Sequence, residues 1–531
     1  MRWYKSFIMG DMDTKETHKE LHPEGEGKLA ERSDSVPSVL VETYGGRVHV
    51  EWDPHAAVTP LGQLPFFIDF LKTAEMFEPW VRDCPLEYRS NNAPKKVDVL
   101  GTLMLSVLAG QRRYAHIDTV RCDTVNPPLL GMSKVVSSSS ARRSFRSTEE
   151  GACVQWLQCH LQRCYEQLLY EPWILDVDTQ VKVLYGHQEG AVVGYNPKKR
   201  GRPSHVLHTY FMANTRLVLD VEVRPGNETA AKYTMPGLWA FLDRVPRGGW
   251  PNFIRGDCTF GNERDMRDAE ARCIPYLFKL RQTSKVKALI EQLFSRTDWM
   301  KAGGGWEGIE SQLRLMGWTK SRRVIVLRRR IKGDVAFTEP AQPELGDQQM
   351  FAFVESEVEI VKYEYAVLVT SLKDEIMAVA QHYRDRADCE NIYDEETNQW
   401  GWGGYTTQDM KRCQVMARII ALVYNWWSLF VRLAIPERHA EAITSRPLLL
   451  YGVGTQTRHG RQKTITITSA HAEAQSIQRV LTSITNFLSE LKATARQLSW
   501  KQRWRIILSR IFIKFLKGRP LADPDLLPVP I

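Results

Sequence analysis

The stretch Gln381–Glu390, QHYRDRADCE, sets Tyr383, Arg386 and Glu390 at i, i+3 and i+7. In a helix that spacing places the three side chains on one face. The carboxylate suits a hard cation bound through oxygen, and a guanidinium one turn back suits a phosphate gripped bidentately. The combination fits a site where metal and phosphate meet. Two further acids could complete it: Asp178 in ILDVDTQVKVLYG and Asp257 in NFIRGDCTFG, each at or near the end of a strand-like apolar run. Asp176 and Asp178 share one face of their strand. Two carboxylates inside an apolar strand are costly unless compensated, so the choice is between a metal ligand and an edge strand with solvated charge. Asp257 stands at a strand end, in the kind of loop where catalytic residues gather. Its alternative role, shared with Thr259, is to cap a helix beginning near Asn262.

The elements that must position these residues follow from the pattern. After the Asp178 strand come strands at Val206–Met212 and Arg216–Val223, a helix Tyr233–Val245 and a strand Asn252–Gly256 that runs into Asp257. A helix Asn262–Arg272, a strand Tyr276–Arg281 and a helix Val286–Phe294 continue the alternation. One acid on a strand, a second on a later strand and a third on a distant helix is the arrangement of an RNase H-like core. Asp257 and Glu390 are 133 positions apart, more than such a core needs, and RRVIVLRRR, MFAFVE and YAVLVTS within that span read as strands. The expected fold is therefore α/β: an RNase H-like mixed sheet with flanking helices, interrupted by a β-rich insertion, with helical N- and C-terminal regions. The expected segments are a flexible terminus 1–40, a helical domain 41–150 that reads equally as DNA-binding or as an ordinary helical module, core 151–295, insertion 296–370, core 371–437 and a basic helical region 438–531.

The 531 residues exceed one ordinary core, and a 43% apolar content with 16 Trp predicts a well-packed globular protein. The net charge of +9 favours a polyanionic partner. Nine Cys without paired zinc spacing read as free thiols of a reducing cytosol. The apolar stretch Ile419–Ile435 holds Asn425, Ser428 and Arg432, and reads as a buried helix rather than a membrane span.

Positive charge is clustered. Lys198, Lys199, Arg200 and Arg202 crowd a turn flanked by Pro197 and Pro203, where a helix is excluded. Lys320, Arg322, Arg323, Arg328, Arg329, Arg330 and Lys332 put seven charges within thirteen residues. Arg112, Arg113, Arg142 and Arg143 lie among short helices, as in a helix-turn-helix-like module. Each cluster reads as a DNA contact or as a solvated face. Trp400 and Trp402, in a Gly-rich loop, read first as packing and second as a stacking platform for an unpaired base. Lys492–Arg519 carries nine basic and no acidic residues among aromatics, a basic amphipathic helix pair suited to nucleic acid or, failing that, an anionic membrane. The stripe from Ile477 to Leu491 requires the core or a second subunit.

The segments LDVDTQV, GHQEGAVVGYNPKKRGRPSH, VRPGN and FIRGDCTFG, with Tyr383, Arg386 and Glu390 in the spacing Tyr-x2-Arg-x3-Glu, resemble the DDE transposases of bacterial insertion sequences. That branch carries a β-rich insertion in an RNase H-like core, and a Lys seven residues after its Glu. Here that position is Thr397, and Lys411 lies too far along to substitute by register. The resemblance implies DNA cleavage and strand transfer by two divalent ions, Mg²⁺ with Mn²⁺ as a substitute, held by Asp178, Asp257 and Glu390. It selects Asp178, followed by Thr179, over Asp176, gives Arg386 and Tyr383 the scissile phosphate, and makes 41–150 a DNA-binding domain. The implied partners are double-stranded DNA, both terminal inverted repeats and target, and a second subunit in the DNA complex; no membrane is expected. The implied location is the cytoplasm, on the nucleoid.

Overall fold

The computed structural model describes residues 38–88, 90, 92–197, 199–331, 351–352, 362–469, 472–494 and 498–522. Lys198 and Lys332, both counted above among the basic clusters, lie outside them, as does the end of the MFAFVE stretch. The chain divides into two units, Met1–Ala56 and Ala57–Ile531. In the first, Val39–Thr43 and Gly46–Val50 pair as an antiparallel hairpin.

The second unit is built on one mixed sheet of eleven strands. Its centre is Ile174–Val183, which pairs antiparallel with Pro203–Met212 and parallel with Phe253–Gly256. Leu217–Pro225 lies beyond Pro203–Met212, antiparallel, and Tyr276–Lys279 lies beyond Phe253–Gly256, parallel. In chain order these five strands stand 3-2-1-4-5 across the sheet. The helix Ala230–Leu242 makes the crossover between the third and fourth. Alternation explains the central strand: Leu175 and Val177 are fully buried on one face, while Asp176 and Asp178 point to the other.

The span expected as an insertion continues this sheet. Lys362–Thr370 pairs antiparallel with Tyr276–Lys279, and outward from it come Arg322–Arg330, Trp306–Leu313 and Met300–Gly303. The arginine-rich strand Arg322–Arg330 is thus an interior strand of the sheet, which makes solvated edge charge impossible along most of its length.

The N-terminal helices pack on the long helix Met410–Ala434, with Phe67 at 5.3 Å from Trp427 and 5.4 Å from Phe430, ring to ring. Trp80 stacks on Trp156 at 5.7 Å and meets Trp426 edge-on at 5.4 Å. Met410–Ala434 is long and apolar enough to cross a membrane, but nearly all of its most apolar stretch is buried inside the protein. Helix Lys96–Leu108 is buried from Asp98 to Leu108, so it has no face left for a DNA groove. The nine cysteines are all free.

The C-terminal helices cover this core. Ile477, Leu481, Ile484, Leu488 and Leu491 of helix Ala474–Thr494 are buried, and so are Trp504, Ile507, Leu508 and Ile511 of helix Trp500–Ile511. The partner of the apolar stripe is therefore the chain's own core. Three of the nine basic residues expected to face nucleic acid on this helix pair are taken up internally, while Lys501, Lys514 and Lys517 stay exposed. Lys492 pairs with Asp69 at 2.6 Å, Arg503 with Glu75, and Arg519 with Glu171.

Helix Glu263–Ala271 follows the Asp257 loop and is capped by Asn262, whose side chain accepts from the Asp265 N–H. Burial pushes the Asp265 carboxyl up to about 7, although Asn262 Nδ2 donates to its Oδ2 at 2.6 Å. Its Oδ1 is buried without a partner. A carboxyl raised above its unfolded value binds protons more tightly when folded, so its contribution to stability falls as pH rises from about 4 to about 7 and is level above that. Asp265→Asn should therefore gain stability over the parent across that window, up to a few kcal/mol at ~1.4 kcal/mol per unit. Denaturant midpoints measured at pH 4, 6 and 8 check the trend; a difference that does not grow with pH would refute it.

Candidate active site

Asp176 and Arg255 are direct neighbours across the parallel pairing of Ile174–Val183 with Phe253–Gly256. Each is about 1% exposed. Arg255 Nε donates to Asp176 Oδ1 at 2.6 Å and Nη2 to Oδ2 at 2.7 Å. Both oxygens of Asp176 are thus committed to a bidentate ion pair. The guanidinium goes further: Nη1 donates to the His382 carbonyl and Nη2 to the Asp385 carbonyl at 3.4 Å.

Those two bonds correct the expectation of one continuous helix through Gln381–Glu390. Two helices, Ile376–Arg384 and Ala387–Glu395, meet at Asp385 and Arg386. At the junction the Arg386 N–H returns to Tyr383 O and the Asp388 N–H to Asp385 O, three residues back in each case. Arg255 satisfies the His382 carbonyl, which the break leaves without a ladder N–H, and adds a second donor to the Asp385 carbonyl.

The break aims Arg386 at the sheet. It is 6% exposed, with Nη2 paired to Asp178 Oδ2 and Nη1 at 3.2 Å from Glu390 Oε1. Asp178 also accepts from the Thr179 N–H at 2.7 Å. Burial raises the Asp178 carboxyl well above the usual carboxylate range; Arg386 opposes this and the nearby Asp257 adds to it. The Asp257 carboxylate is held by Thr259, through its N–H at 2.9 Å and its hydroxyl at 3.3 Å. The capping role weighed for Asp257 belongs to Asn262. Gly256 precedes Asp257 in tight quarters, where a Cβ would fall 2.7 Å from the Phe260 ring. Burial also raises the Tyr383 hydroxyl, with Arg386 opposing and Asp257 and Asp178 among the groups that add to it.

Asp178, Asp257 and Arg386 thus share one electrostatic neighbourhood, and Glu390 reaches it through Arg386. The Glu390 side chain is 69% exposed. Among the described residues no three His, Cys, Asp or Glu side chains are grouped closely enough to hold a metal ion. The guanidinium of Arg386 stands between two of the carboxylates. Beside it opens a cleft of about 940 Å³, lined by Lys279, Trp306, Arg329, Tyr383, Arg384 and Glu390 among others.

Thr397, at the position of the signature Lys, donates to Gln180 Oε1 at 2.8 Å. Lys411 is spent on the carbonyls of Arg146 and Thr148 at 2.9 and 2.8 Å. Trp400 and Trp402 are buried. Their indole N–H groups donate to Glu395 Oε1 and Ala417 O, both at 3.0 Å, which leaves no ring face for a base.

The basic clusters divide. Arg322 is 4% exposed and bridges Glu263 and Glu270, so it is withdrawn as a phosphate contact. Arg323 pairs with Glu310 at 2.6 Å, Arg328 with Glu307 at 2.8 Å, and Arg329 with Glu364. The antiparallel register supplies these carboxylates from neighbouring strands: Glu307 faces Arg328 and Glu364 faces Arg329. Arg330 ends the same strand and has a partner of its own. Lys199, Arg200 and Arg202 are exposed on the tip between Val192–Val193 and Pro203–Met212, with Lys199 and Arg202 over the Tyr185 ring. Arg112, Arg113, Arg142 and Arg143 are exposed too. The Arg112 segment seats the loop that follows the Glu390 helix: Arg112 Nη1 donates to Asn398 O at 3.1 Å, and a Cβ on Gly404 would fall 1.7 Å from Arg112 O.

Sequence reasoning missed Arg255. The available signal was a second charge of opposite sign inside an apolar strand, two residues before Asp257.

Two substitutions on one strand face should separate folding from chemistry. Asp176→Asn leaves Arg255 buried and unpaired and should cost about 3–5 kcal/mol of stability. Asp178→Asn removes a charge that burial disfavours and leaves Arg386 its Glu390 partner, so it should cost clearly less, about 1–2 kcal/mol. Equal losses in urea titrations of the two variants would contradict this assignment.

Comparison with known proteins follows the same lines. No curated protein matches the chain. Among solved structures, a synaptic complex of the piggyBac transposase with hairpin DNA aligns over 85% of each chain at 10% identity, with a TM-score of 0.39, too low to carry an argument. The family model described as "Transposase DDE domain group 1" matches residues 84–489, which contain Asp178, Asp257 and Glu390. The chain belongs to the group 1 DDE transposase family.

Proposed function

We propose that this chain is an active DNA transposase of the insertion-sequence kind, which cleaves the ends of its element and joins them to target DNA by a cut-and-paste route. The observation that carries the reading is the convergence on Arg386: a strand acid, Asp178, and a helix acid, Glu390, meet one guanidinium, with Asp257 near enough to raise Asp178. The 3-2-1-4-5 strand order supports an RNase H-like core, with the acids at the places such a core uses.

The donors fit a hard divalent cation, Mg²⁺ or in its place Mn²⁺. All three are carboxylates, and Asp178 is buried beside Asp257 in surroundings that disfavour its negative charge without a compensating cation. Asp178, Asp257 and Glu390 would hold two such ions. When bound, the ions supply an activated water or DNA 3′-hydroxyl and a stabilised leaving oxygen. The chain's own residues do the rest. Arg386 neutralises Asp178 and Glu390 and is placed to take a phosphate oxygen in exchange. Tyr383 lines the adjoining cleft. Lys199, Arg200 and Arg202 would grip the duplex backbone from their hairpin tip, together with Lys198. Arg112, Arg113, Arg142 and Arg143 would read the element end. Two copies would act on paired ends, on the nucleoid in the cytoplasm.

The alternative is a DNA-binding derivative without catalysis, favoured by one observation: Thr397 stands in place of the signature Lys. Incubating the protein with a pre-cut element end and a plasmid in Mg²⁺ or Mn²⁺ decides between them. Joined product is expected. Asp178→Ala, Asp257→Ala and Glu390→Ala should each lower joining by more than about 100-fold, beyond the effect of losing an outer-shell partner, with duplex affinity kept. Cleavage without joining would make the protein a nuclease, and binding without either would make it the inactive derivative.

A further inference from the structure

The strands Gly454–His459 and Gln462–Ile467 form an antiparallel ribbon in perfect register, from Gly454 opposite Ile467 to His459 opposite Gln462. Two residues, Gly460 and Arg461, close it. Gly460 takes φ +58, the first-position requirement of a turn whose twist matches the strands. At its base the ribbon is fixed to the body. Gly454 and Thr455 pair with Thr59 and Val58, and Gln63 Nε2 donates to Leu448 O and Tyr451 O at 3.0 and 2.7 Å. Beyond the base it is exposed: residues 457–464 are all open to solvent.

Its two faces differ. One carries Thr455 opposite Thr466, Thr457 opposite Thr464 and His459 opposite Gln462, so every side chain on it is a hydrogen-bonding group. The other carries Ile467 and Ile465 near the body and then Arg458 directly opposite Lys463. Like charges in a cross-strand pair destabilise a ribbon, and Arg461 adds a third at the tip. Among the described residues none of the three has a carboxylate partner; Arg458 Nε donates only to Gly460 O, at 3.0 Å. Exposed Arg47 and Arg296, by contrast, are each paired with a carboxylate. The four residues beyond the base pairing, at about 3.4 Å each, give the ribbon roughly 14 Å of reach, and a major groove about 12 Å wide admits a two-stranded ribbon.

We infer that this ribbon is a DNA-contacting element that enters the major groove of a duplex, with Arg458, Arg461 and Lys463 on backbone phosphates and the Thr, His and Gln face toward base edges. The inference rests on the transposase reading for its partner, and it adds a reading element separate from the Lys199–Arg202 tip and the Arg112 segment. Threonine hydroxyls both donate and accept, so such a face takes base edges of either polarity. An acidic protein would satisfy the three charges but has no use for a ladder of hydroxyls.

The test uses the full-length protein and a fluorescent duplex carrying the element end, with affinity measured from 50 to 300 mM NaCl. The triple variant Arg458→Gln, Arg461→Gln, Lys463→Gln should bind at least tenfold more weakly at the lowest salt. It should also flatten the slope of log affinity against log salt by about two to three units, at ~0.9 per lost phosphate contact. A slope reduced by less than one unit overturns the inference. If the triple variant misfolds, judged by its unfolding midpoint, Arg461→Gln alone at the turn should flatten the slope by about 0.9, and an unchanged slope there overturns it equally. Tight binding of a polyglutamate peptide that the triple variant loses, with duplex binding kept, would reassign the ribbon to an acidic protein. A parent that holds no duplex at any salt would remove the transposase reading as well; a parent that binds duplex with the variant unchanged removes only the ribbon.

Discussion

The candidate site depends on one buried ion pair. Asp176 and Arg255 face each other across neighbouring parallel strands, and neither charge could survive there alone. Together they are neutral, and the guanidinium has donors to spare. Those reach two carbonyls at the end of helix Ile376–Arg384 and hold the helix break in place. The break in turn points Arg386 at Asp178 and starts the helix that carries Glu390. A hydrophobic pair at 176 and 255 would hold the strands together as well, but would leave the His382 carbonyl without its donor and Asp385 with the Asp388 N–H alone. What the pair supplies is direction more than stability.

The two aspartates of the central strand show how position divides labour between identical side chains. Asp176 has both oxygens committed within the sheet. Asp178, one repeat further toward the strand's open end, meets only Arg386, Thr179 and the field of Asp257. It is the one whose carboxyl burial raises despite the guanidinium beside it. Arg386 supplies that guanidinium, a positive charge able to exchange carboxylate for phosphate partners.

Charge on the rest of the chain follows the same division between spent and available. Arg322 is enclosed by Glu263 and Glu270, Arg328 and Arg329 are met by glutamates across the sheet, and the basic C-terminal helices are clamped to Asp69, Glu75 and Glu171. These pairs are far apart in sequence, which is why charge density along the chain overstated the surface open to a polyanion. Exposed positive charge remains at Lys199 to Arg202, Arg112 and Arg113, Arg142 and Arg143, Arg458 to Lys463, and at Lys501, Lys514 and Lys517 of the C-terminal region.

Much was legible before any tertiary structure. Period-two alternation marked the central strand and put Asp176 and Asp178 on one face; apolar runs ending in acids marked Asp257; the Tyr-x2-Arg-x3-Glu spacing marked Glu390. These are local signals, carried by residues within a few positions of one another. What the sequence by itself determined was the chemistry on offer: one carboxylate within a strand, one just past a strand end and one on a helix, an arginine four residues before the last, and the strands and helices that carry them. The tertiary structure alone decided which carboxylate is committed, where the helix breaks, and which arginines remain open. Those outcomes depend on partners 79 to 208 residues away, Arg255 for Asp176 and Arg386 for Asp178. Strand register across a sheet is set by the packing of the whole core rather than by any neighbouring residue, so a local pattern could flag Arg255 as a charge needing a partner but not say which partner it meets.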